Sequence, residues 1–192
     1  LVSESQDQKN TLLLQKFTQT LILKEADFDS LLKQLSESTS FVFDLETNSL
    51  EYMNAEIVGL VFLLDKQSYY LPVAHDYLDA PEQLSRQSVM KSLKPILESQ
   101  GIGKIGQNLK YDAHVLANIG IDLSGIVDDT MIKSYCLNSV ATRHNMDDLS
   151  EYYLGHKTIH YADVAGSGKK QLTFNQVNID EALPYACEDV IV

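Results

Sequence analysis

Phe41-Val-Phe-Asp-Leu-Glu-Thr47 is the stretch that decides the fold, because an apolar strand pattern here carries two carboxylates two residues apart. Successive side chains of a strand point to opposite faces, so the odd-numbered apolar residues share one face and Asp44 and Glu46 share the other. Their backbones lie roughly 7 Å apart at about 3.3 Å of rise per residue. The segment has no basic residue, so packing alone does not explain this pair on a buried strand, whereas a divalent cation does. The alternative is an exposed strand end whose acids face water.

Length and composition predict one folded unit. The chain has 192 residues, 44% of them hydrophobic, enough for one α/β domain and short for two. No apolar run reaches the length of a membrane span, and the polar residues 1–10 lack the order of a signal peptide. We therefore expect a soluble, cytoplasmic protein without membrane contact. Cys136 and Cys187 lie far apart and outside metal-ligand spacing, which predicts reduced thiols.

Charge limits the class of nucleic-acid protein. The net charge is −12 and the pI about 4.7, whereas proteins that bind duplex DNA usually have a basic face. The composition therefore argues against a free-standing, tight DNA binder. It is compatible with a site that holds a few nucleotides and concentrates acids around cations.

The first half of the chain is predicted to form strands around one helix. The patterns cover residues 18–23 as an edge strand, 27–35 as a helix, and 41–47, 56–64 and 68–73 as strands. Asp27 is the predicted N-cap of the helix. Because a short polar link at residues 65–67 joins the last two strands, we expect an antiparallel three-strand meander. Residues 1–16 are polar apart from a leucine cluster at residues 12–14.

The second half alternates helices with a strand. The predicted elements are a helix at residues 85–98, a strand at 103–106, helices at 111–118 and 147–154, a flexible loop at 165–171 and a last helix from Asn178 or Asp180. Ser85 is the predicted cap of the first of these helices, and Asp128 or Asp129 begins a further helix. The whole pattern predicts an α/β or α+β fold.

Further carboxylates stand at positions typical of active sites. Asp112 begins a helix that follows a strand, where residues of α/β active sites often lie. The alternative for Asp112 is an acid favoured by the helix dipole. Tyr185 and Asp189 are four residues apart in the last helix and therefore share a face, which alone describes an ordinary amphipathic surface.

Three short motifs together resemble the 3′→5′ proofreading exonuclease domain of bacterial DNA polymerase I. They are Phe-Asp-Leu-Glu-Thr at residues 43–47, Asn-Leu-Lys-Tyr-Asp at 108–112 and Tyr-Ala-Cys-Glu-Asp at 185–189. The similarity extends in the same order over residues 41–189. It implies the ribonuclease H-like exonuclease fold, a mixed sheet with an antiparallel three-strand meander and parallel strands, flanked by helices. It also implies that residues 41–192 form an exonuclease domain truncated before a polymerase domain, and that residues 1–40 lead into it.

The resemblance also implies a metal site. Its members are four carboxylates that would hold two divalent cations, Mg²⁺ or Mn²⁺ with Zn²⁺ possible at one site: Asp44, Glu46, Asp112 and Asp189. Tyr185 corresponds to the tyrosine that orients the attacking water. Two cations stabilise the negative charge on the phosphorus centre and on the leaving oxygen during phosphodiester hydrolysis, and hard oxygen ligands suit Mg²⁺ and Mn²⁺.

Substrate contacts follow from the same resemblance, with a plain surface role as the alternative for each. The implied contacts are Thr47, Leu50, Gln107, Asn108, Lys110, Tyr111, Arg143 and Tyr161. Leu50 and Tyr161 correspond to residues that wedge against the terminal bases, and stacking is indifferent to sequence. Lys110 and Arg143 are expected near phosphates. Thr47 is expected at the terminal 3′-hydroxyl.

These expectations define a monomeric fragment that trims single-stranded or frayed 3′ ends of DNA beside the polymerase domain of a longer protein. Two alternatives remain: a catalytically silent domain, and an RNA-trimming exonuclease of the ribonuclease D type. His156 and His160 are four residues apart, but no glutamate follows the first, so a zinc-peptidase site is not predicted. Pro184, directly before Tyr185, is predicted either to begin the last helix or to bend it.

Overall fold

A six-stranded mixed sheet is the centre of the protein, which we describe from a computed structural model over residues 15–192. Its strands are β1 (Thr18–Leu21), β2 (Ser40–Thr47), β3 (Ile57–Leu64), β4 (Gln67–Pro72), β5 (Gly103–Gly106) and β6 (Ile126–Asp129). They lie in the order β1-β4-β3-β2-β5-β6. β2, β3 and β4 form the predicted antiparallel meander, while β1 pairs with β4, β5 with β2 and β6 with β5 in parallel. The predicted mixed sheet is therefore confirmed.

Seven α-helices connect or follow these strands in the described residues. They are α1 (Glu25–Glu37), α2 (Arg86–Leu97), α3 (Leu109–Asn118), α4 (Thr130–Asn138), α5 (Met146–Leu149), α6 (Tyr161–Ala165) and α7 (Ile179–Asp189). A π-helical turn, Ser150–Leu154, continues α5, and two 3₁₀ turns, Gly168–Lys170 and Phe174–Gln176, precede α7. Within residues 15–192 no helix is long and apolar enough to cross a membrane. The predicted leucine cluster at residues 12–14 lies outside the described residues.

β2 separates two hydrophobic cores. Phe41, Phe43 and Leu45 lie in the core that α1 and α2 cover, and the Phe41 and Phe62 rings meet edge to face at 5.8 Å. The opposite face packs against α7, where Ala182 contributes to the second core. The predicted alternation along β2 is therefore confirmed. It leaves Asp44 and Glu46 on the side of the sheet where α7 ends.

The predicted N-caps are wrong for the first helix and right in position for α2 and α7. α1 begins at Glu25 with Lys24 at its N-cap, so Asp27 lies inside the first turn, where the helix dipole favours an acid. Ser85 occupies the N-cap position of α2, but its side chain makes no capping hydrogen bond. α7 begins at Ile179, capped by the Asn178 side chain, and Pro184 lies inside it. The alternative that this helix begins at Pro184 is therefore wrong.

The second half contains elements that the sequence pattern did not indicate. β6 was missed because it is only four residues long, and its apolar residues Ile126 and Val127 are 45% and 64% exposed, so it lacks the alternation of a half-buried strand. The predicted helix at residues 147–154 is divided between α5 and the π-helical turn. Residues 165–171, predicted as a loop, contain a 3₁₀ turn. Cys136 and Cys187 are both free, as predicted.

Asp129 joins the N-termini of two helices. Its Oδ1 accepts hydrogen bonds from the backbone N–H groups of Met131 (3.0 Å) and Ile132 (3.1 Å) in α4. The same carboxylate accepts from the N–H groups of Asn108 (3.2 Å) and Leu109 (2.8 Å), where α3 begins. One buried side chain thus satisfies four donors that helix termini leave unpaired. It thereby fixes α3, which carries Asp112, against the end of β6.

We predict that Asp129→Ala lowers the free energy of unfolding by about 2 kcal/mol, since one cap is worth about 1 kcal/mol and two are lost. Asp128→Ala is the matched control. In the described residues the Asp128 carboxylate forms an ion pair with the partly exposed Lys133 ammonium. Such surface pairs contribute about 0–1 kcal/mol. Urea denaturation of both variants measures the difference, and equal losses would show that Asp129 is not a double cap.

Candidate active site

Three carboxylates converge beside the end of β2. One carboxylate oxygen from each of Asp44, Glu46 and Asp189 lies within 4.8 Å of the other two. Asp44 and Glu46 come from the same face of β2, and Asp189 is the last residue of α7. The tertiary structure thus brings residues 143 positions apart in sequence, from Glu46 to Asp189, to a single point.

Asp112 adjoins this cluster from the first turn of α3. It is 2% exposed, and the Leu45 N–H, on β2 between the two other acids, donates toward the carboxylates of both Asp112 and Asp44. All four carboxylates named by the sequence are therefore in one place. Asp112 lies outside the set of three whose oxygens are close enough to share one ion.

Burial and mutual repulsion raise the pKa of every acid in the cluster. Burial raises the pKa of Asp44 to about 7, although the Leu45 N–H opposes the shift. Burial, followed by the charges of Asp44, Asp189 and Asp112, raises the pKa of Glu46 well above its usual range. The pKa values of Asp112 and Asp189 are raised by burial and then by the Asp44 charge. No basic side chain of the described residues is among the causes that act on these four pKa values, so none offsets the repulsion.

Two buried oxygens of the cluster have no hydrogen-bond partner. They are Oε1 of Glu46 and Oδ1 of Asp112. Buried polar atoms are nearly always paired in folded proteins, so these two mark a place built for another ligand. Carboxylate oxygens without imidazole or thiolate suit hard cations such as Mg²⁺ and Mn²⁺. The residues present therefore fit divalent cations of this kind.

Tyr185 lies one helical turn before Asp189 and reaches the same site. Burial raises its pKa far above the usual range, and the charges of Asp189, Glu46 and Asp44 add to the shift. Its hydroxyl therefore stays protonated and neutral. The rings of Phe174 and Tyr161 pack against its ring at centroid distances of 5.8 and 6.4 Å. Pro184 does not displace Tyr185 from the acids.

Two of the predicted substrate residues belong to one hydrogen-bond network. The hydroxyl oxygens of Thr47 and Tyr111 are 2.6 Å apart, and each also lies within hydrogen-bond distance of the Ser49 carbonyl oxygen, at 3.0 Å and 2.5 Å. Tyr111 comes from α3, one residue before Asp112, and Thr47 ends β2. The network therefore ties the loop after β2 to the helix that carries the fourth acid.

Gln107 and Asn108 have clear structural partners. The Gln107 side chain donates to the His144 carbonyl oxygen at 2.9 Å and accepts a hydrogen bond from the Thr130 hydroxyl. Asn108 adopts the left-handed conformation with φ 58° at the N-cap of α3. Gln107 also lines a cavity of about 420 Å³ that Asp44 and Asp189 border. Gln107 is thus near the acids, and the side-chain roles of both residues toward a substrate stay predictions.

The remaining predicted contacts are at least partly exposed to solvent. Leu50 is 94% exposed, and Lys110 and Arg143 are exposed without a hydrogen bond or ion pair to any described residue. Tyr161 donates its hydroxyl to the Leu172 carbonyl oxygen at 3.0 Å. Burial raises the pKa of Tyr161, and the Glu46 charge adds to this shift.

Sequence reasoning missed a buried pair directly beside Asp189. His156 Nε2 lies 2.8 Å from Oε1 of Glu188, whose Oε2 accepts the backbone N–H of Ile159 at 2.5 Å. The pair holds residues 156–161 against the end of α7. His160 instead lies 3.1 Å from Asp147, so the two histidines have separate acidic partners. No local pattern links His156 to Glu188, which are 32 residues apart.

Comparisons with a protein-family model and with curated proteins agree with each other. The family model described as 3′–5′ exonuclease matches residues 19–192. DNA polymerase I of Pseudomonas aeruginosa is 48% identical over 90% of this chain, and that of Rhizobium leguminosarum is 40% identical over 78%. The matched parts are 19% and 16% of those proteins, so this chain spans about a fifth of the length of the curated relatives.

A solved structure supports the fold. Trypanosoma brucei RNase D in complex with RNA has a TM-score of 0.72 and is 17% identical, and the likeness covers 97% of this chain and 63% of that one. At this identity the likeness concerns the fold alone. The predicted ribonuclease H-like fold is therefore confirmed.

We predict an unusual pH dependence for the stability of the metal-free fold, because no opposite charge neutralises the acids. Because the folded-state pKa of Asp44 is raised from 3.8 to about 7, the folded chain binds more protons than the unfolded chain between about pH 4 and 7. Without metal, stability should therefore fall as pH rises through this window. Asp44→Asn should weaken this dependence, and Asp44→Asn or Asp189→Asn should leave metal-free stability at pH 8 unchanged or raised.

Melting curves in chelator, Mg²⁺ and Mn²⁺ measure this effect. Added metal should raise the Tm of the native chain more than that of either variant, since a ligand of the folded state stabilises it by mass action. Asp65→Asn, in an exposed turn with φ 52°, is the control and should behave like the native chain. If metal does not raise the native Tm and all acid variants melt earlier in chelator, the acids have a structural role.

We further predict that His156→Ala strongly destabilises the fold. Removal of the imidazole leaves Oε1 of the buried Glu188 carboxylate without its partner, while Oε2 keeps the Ile159 N–H; a buried unsatisfied acceptor typically costs about 1–3 kcal/mol, and more when it is charged. His160→Ala is the matched control, because the His160 and Asp147 side chains are 46% and 51% exposed. Chemical denaturation compares the two, and a similar small loss for both would contradict the importance of the buried pair.

Proposed function

The chain belongs to the 3′–5′ exonuclease family represented in bacterial DNA polymerase I, and from this premise we propose that it removes mismatched or frayed 3′-terminal nucleotides from DNA in a metal-dependent reaction. The observation that carries the proposal is the cluster of Asp44, Glu46 and Asp189 with the buried Asp112 beside it, in which one oxygen each of Glu46 and Asp112 lacks a partner. Intact acids argue against the alternative of a catalytically silent domain.

Each acid has a proposed task. Asp44, Glu46 and Asp189 would hold one divalent cation, and Asp112 would contribute to a second together with Asp44. When bound, the cations supply Lewis-acid stabilisation of the negative charge that develops on phosphorus and on the leaving oxygen. The raised pKa values show why the acids need such partners, since without them some carboxyls remain protonated near neutral pH.

The remaining side chains place the reactants. Tyr185, with its proton retained, hydrogen-bonds and orients the water whose oxygen attacks phosphorus. The bond from phosphorus to the 3′-oxygen of the penultimate nucleotide breaks, which releases a nucleoside 5′-monophosphate and leaves a new 3′-hydroxyl. Thr47 is proposed to contact the 3′-hydroxyl of the departing nucleotide. Its hydroxyl is held by Tyr111, which restricts its orientation.

The rim of the site favours a single strand. Leu50 and Tyr161 are proposed to wedge against the terminal bases, while Lys110 and Arg143 contact phosphates. With a net charge of −12, the chain has too little basic surface for a duplex grip. The family match favours DNA over the RNA-trimming alternative, for which the structural neighbour supplies only a shared fold.

The length of the relatives suggests the setting of this activity. Because the curated DNA polymerase I relatives are about five times longer, we propose that this chain acts as one domain of such a polymerase and receives primer ends from its polymerase domain. A monomeric state and a cytoplasmic location stay predictions. The domain limits at residues 1–40 and 41–192 also stay predictions.

We predict that the native chain with Mg²⁺ or Mn²⁺ releases nucleoside 5′-monophosphates one at a time from single-stranded DNA. Mismatched primer ends should be shortened faster than paired ones, and a blocked 3′-hydroxyl should slow release sharply. Asp44→Asn should lose most of the activity, whereas Asp65→Asn should retain it. Product chromatography from labelled DNA and RNA oligonucleotides measures all of these rates.

Two results would overturn the assignment. Cleavage of a circular single strand would show endonuclease activity, and faster release from RNA than from DNA would favour the ribonuclease D alternative. Absence of release from every substrate under either metal would favour the silent domain.

A further inference from the structure

The loop after β2 lies along the full length of α3. Near the start of α3, the Tyr111 hydroxyl donates to the Ser49 carbonyl oxygen at 2.5 Å. At its end, the Asn118 side-chain amide donates to the Tyr52 carbonyl oxygen at 2.6 Å. Seven residues of α-helix span about 10 Å. The loop therefore extends from the acids along α3 over roughly that distance.

This loop carries an exposed aromatic stack. The ring of Tyr52 lies on the imidazole of His114 with a centroid distance of 4.6 Å and an interplanar angle of 24°. Tyr52 is 41% exposed and His114 is also exposed, while the neighbouring Met53 is 63% exposed. The backbone carbonyl groups of Ser49 and Tyr52 already tie the loop to α3 by hydrogen bonds. The exposed surfaces of the Tyr52, His114 and Met53 side chains therefore have no evident role in packing of the core.

We propose that the Tyr52–His114 stack is a platform for a base of the bound strand, two nucleotides upstream of the nucleotide at the acids. The proposal rests on the proposed function and extends the strand's path beyond the wedge residues. Stacking on aromatic rings is worth about 1–3 kcal/mol per base and tolerates any sequence. Such a platform suits an enzyme that must accept every 3′ end.

Spacing along α3 supports this register. Lys110 and His114 are four residues apart and share an exposed face, so their Cα atoms lie about 6 Å apart along the axis. Stacked nucleotides of one strand are spaced by about 3.4 Å. A strand with a phosphate near Lys110 would therefore place a base at His114 about two nucleotides further along.

Charge supports the direction of the path. Past the stack, the Lys94 ammonium donates to the Gly120 carbonyl oxygen at 2.6 Å just beyond the end of α3, although Glu98 also lies 3.4 Å from it. Lys91 precedes Lys94 by three residues on α2, is exposed, and has no hydrogen bond or ion pair to a described residue. Glu98 pairs with Lys94 and the exposed Glu51 precedes Tyr52, so Lys91 is the cation of this pair that is available to a phosphate of the same strand.

A tryptophan reporter tests the location directly. The chain has no tryptophan, so Tyr52→Trp supplies the sole indole at the platform. In a background of Asp44→Asn, which prevents hydrolysis, thymidine oligonucleotides of two, three, four and six residues are titrated with metal present. Indole fluorescence should change strongly with three or more residues and weakly with two. Equal changes for all lengths, or none despite binding seen by anisotropy of a labelled strand, would overturn the platform.

Kinetics on the active chain supply the second arm. Tyr52→Ala and His114→Ala should lower kcat/KM for a tetranucleotide by about tenfold, mainly through KM, as loss of one base stack does. The gain in kcat/KM from dinucleotide to tetranucleotide should largely disappear in both. Tyr52→Phe and His114→Phe, which keep a ring, should restore it. Tyr152→Ala, an exposed tyrosine in the π-helical turn, is the control and should match the native chain.

The outcomes separate the possible explanations. A fall of equal size for every length, with no rescue by phenylalanine, would show that the stack only supports the loop and would overturn the platform. If the native chain hydrolyses no oligonucleotide of any length, the proposed function itself fails. The two failures are therefore distinguishable.

Discussion

Repulsion among four buried carboxylates at the end of β2 is the constraint on which the rest of the structure depends. Bringing Asp44, Glu46, Asp112 and Asp189 together removes their hydration and sets like charges side by side, which opposes folding. Packing must supply the opposing free energy. The two hydrophobic cores on either face of β2 do so, because they hold the strand and the ends of α3 and α7 in fixed positions.

The buried acids of this chain differ in their hydrogen bonding. Asp129 accepts four backbone N–H groups, and both oxygens of Glu188 have partners in His156 and Ile159. Glu46 and Asp112, by contrast, each leave a buried oxygen without a partner. Asp129 and Glu188 thereby organise helix ends and a connecting segment, whereas Glu46 and Asp112 belong to the candidate site. Oδ2 of Asp148 is also buried without a partner, so an unpaired oxygen identifies the site only together with the convergence of the acids.

The side chains around the candidate site differ in chemistry from the carboxylates at its centre. Aromatic and aliphatic side chains, with a few exposed cations, surround the carboxylates of a strongly acidic chain. In the proposed function, hydrolysis depends on the carboxylates. The choice of strand depends on which bases the surrounding side chains can stack against and on how many phosphates they can contact. A nuclease whose structure was solved with RNA shares the fold at 17% identity, so the fold does not choose the nucleic acid. Under the proposed function, the side chains around the acids make that choice.

Local sequence patterns determined much of the fold and the acids of the candidate site. Alternation in β2, the meander, the capped last helix and the four acids were all predictable, because each depends on neighbours in sequence or on a short motif. Tertiary structure alone decided that β6 completes the sheet, that Asp129 caps α3 across 21 residues and that His156 pairs with Glu188 across 32. It also decided that Tyr52 stacks on His114. These contacts join residues that no periodicity relates, since chain folding, and not local conformation, sets the distance between them.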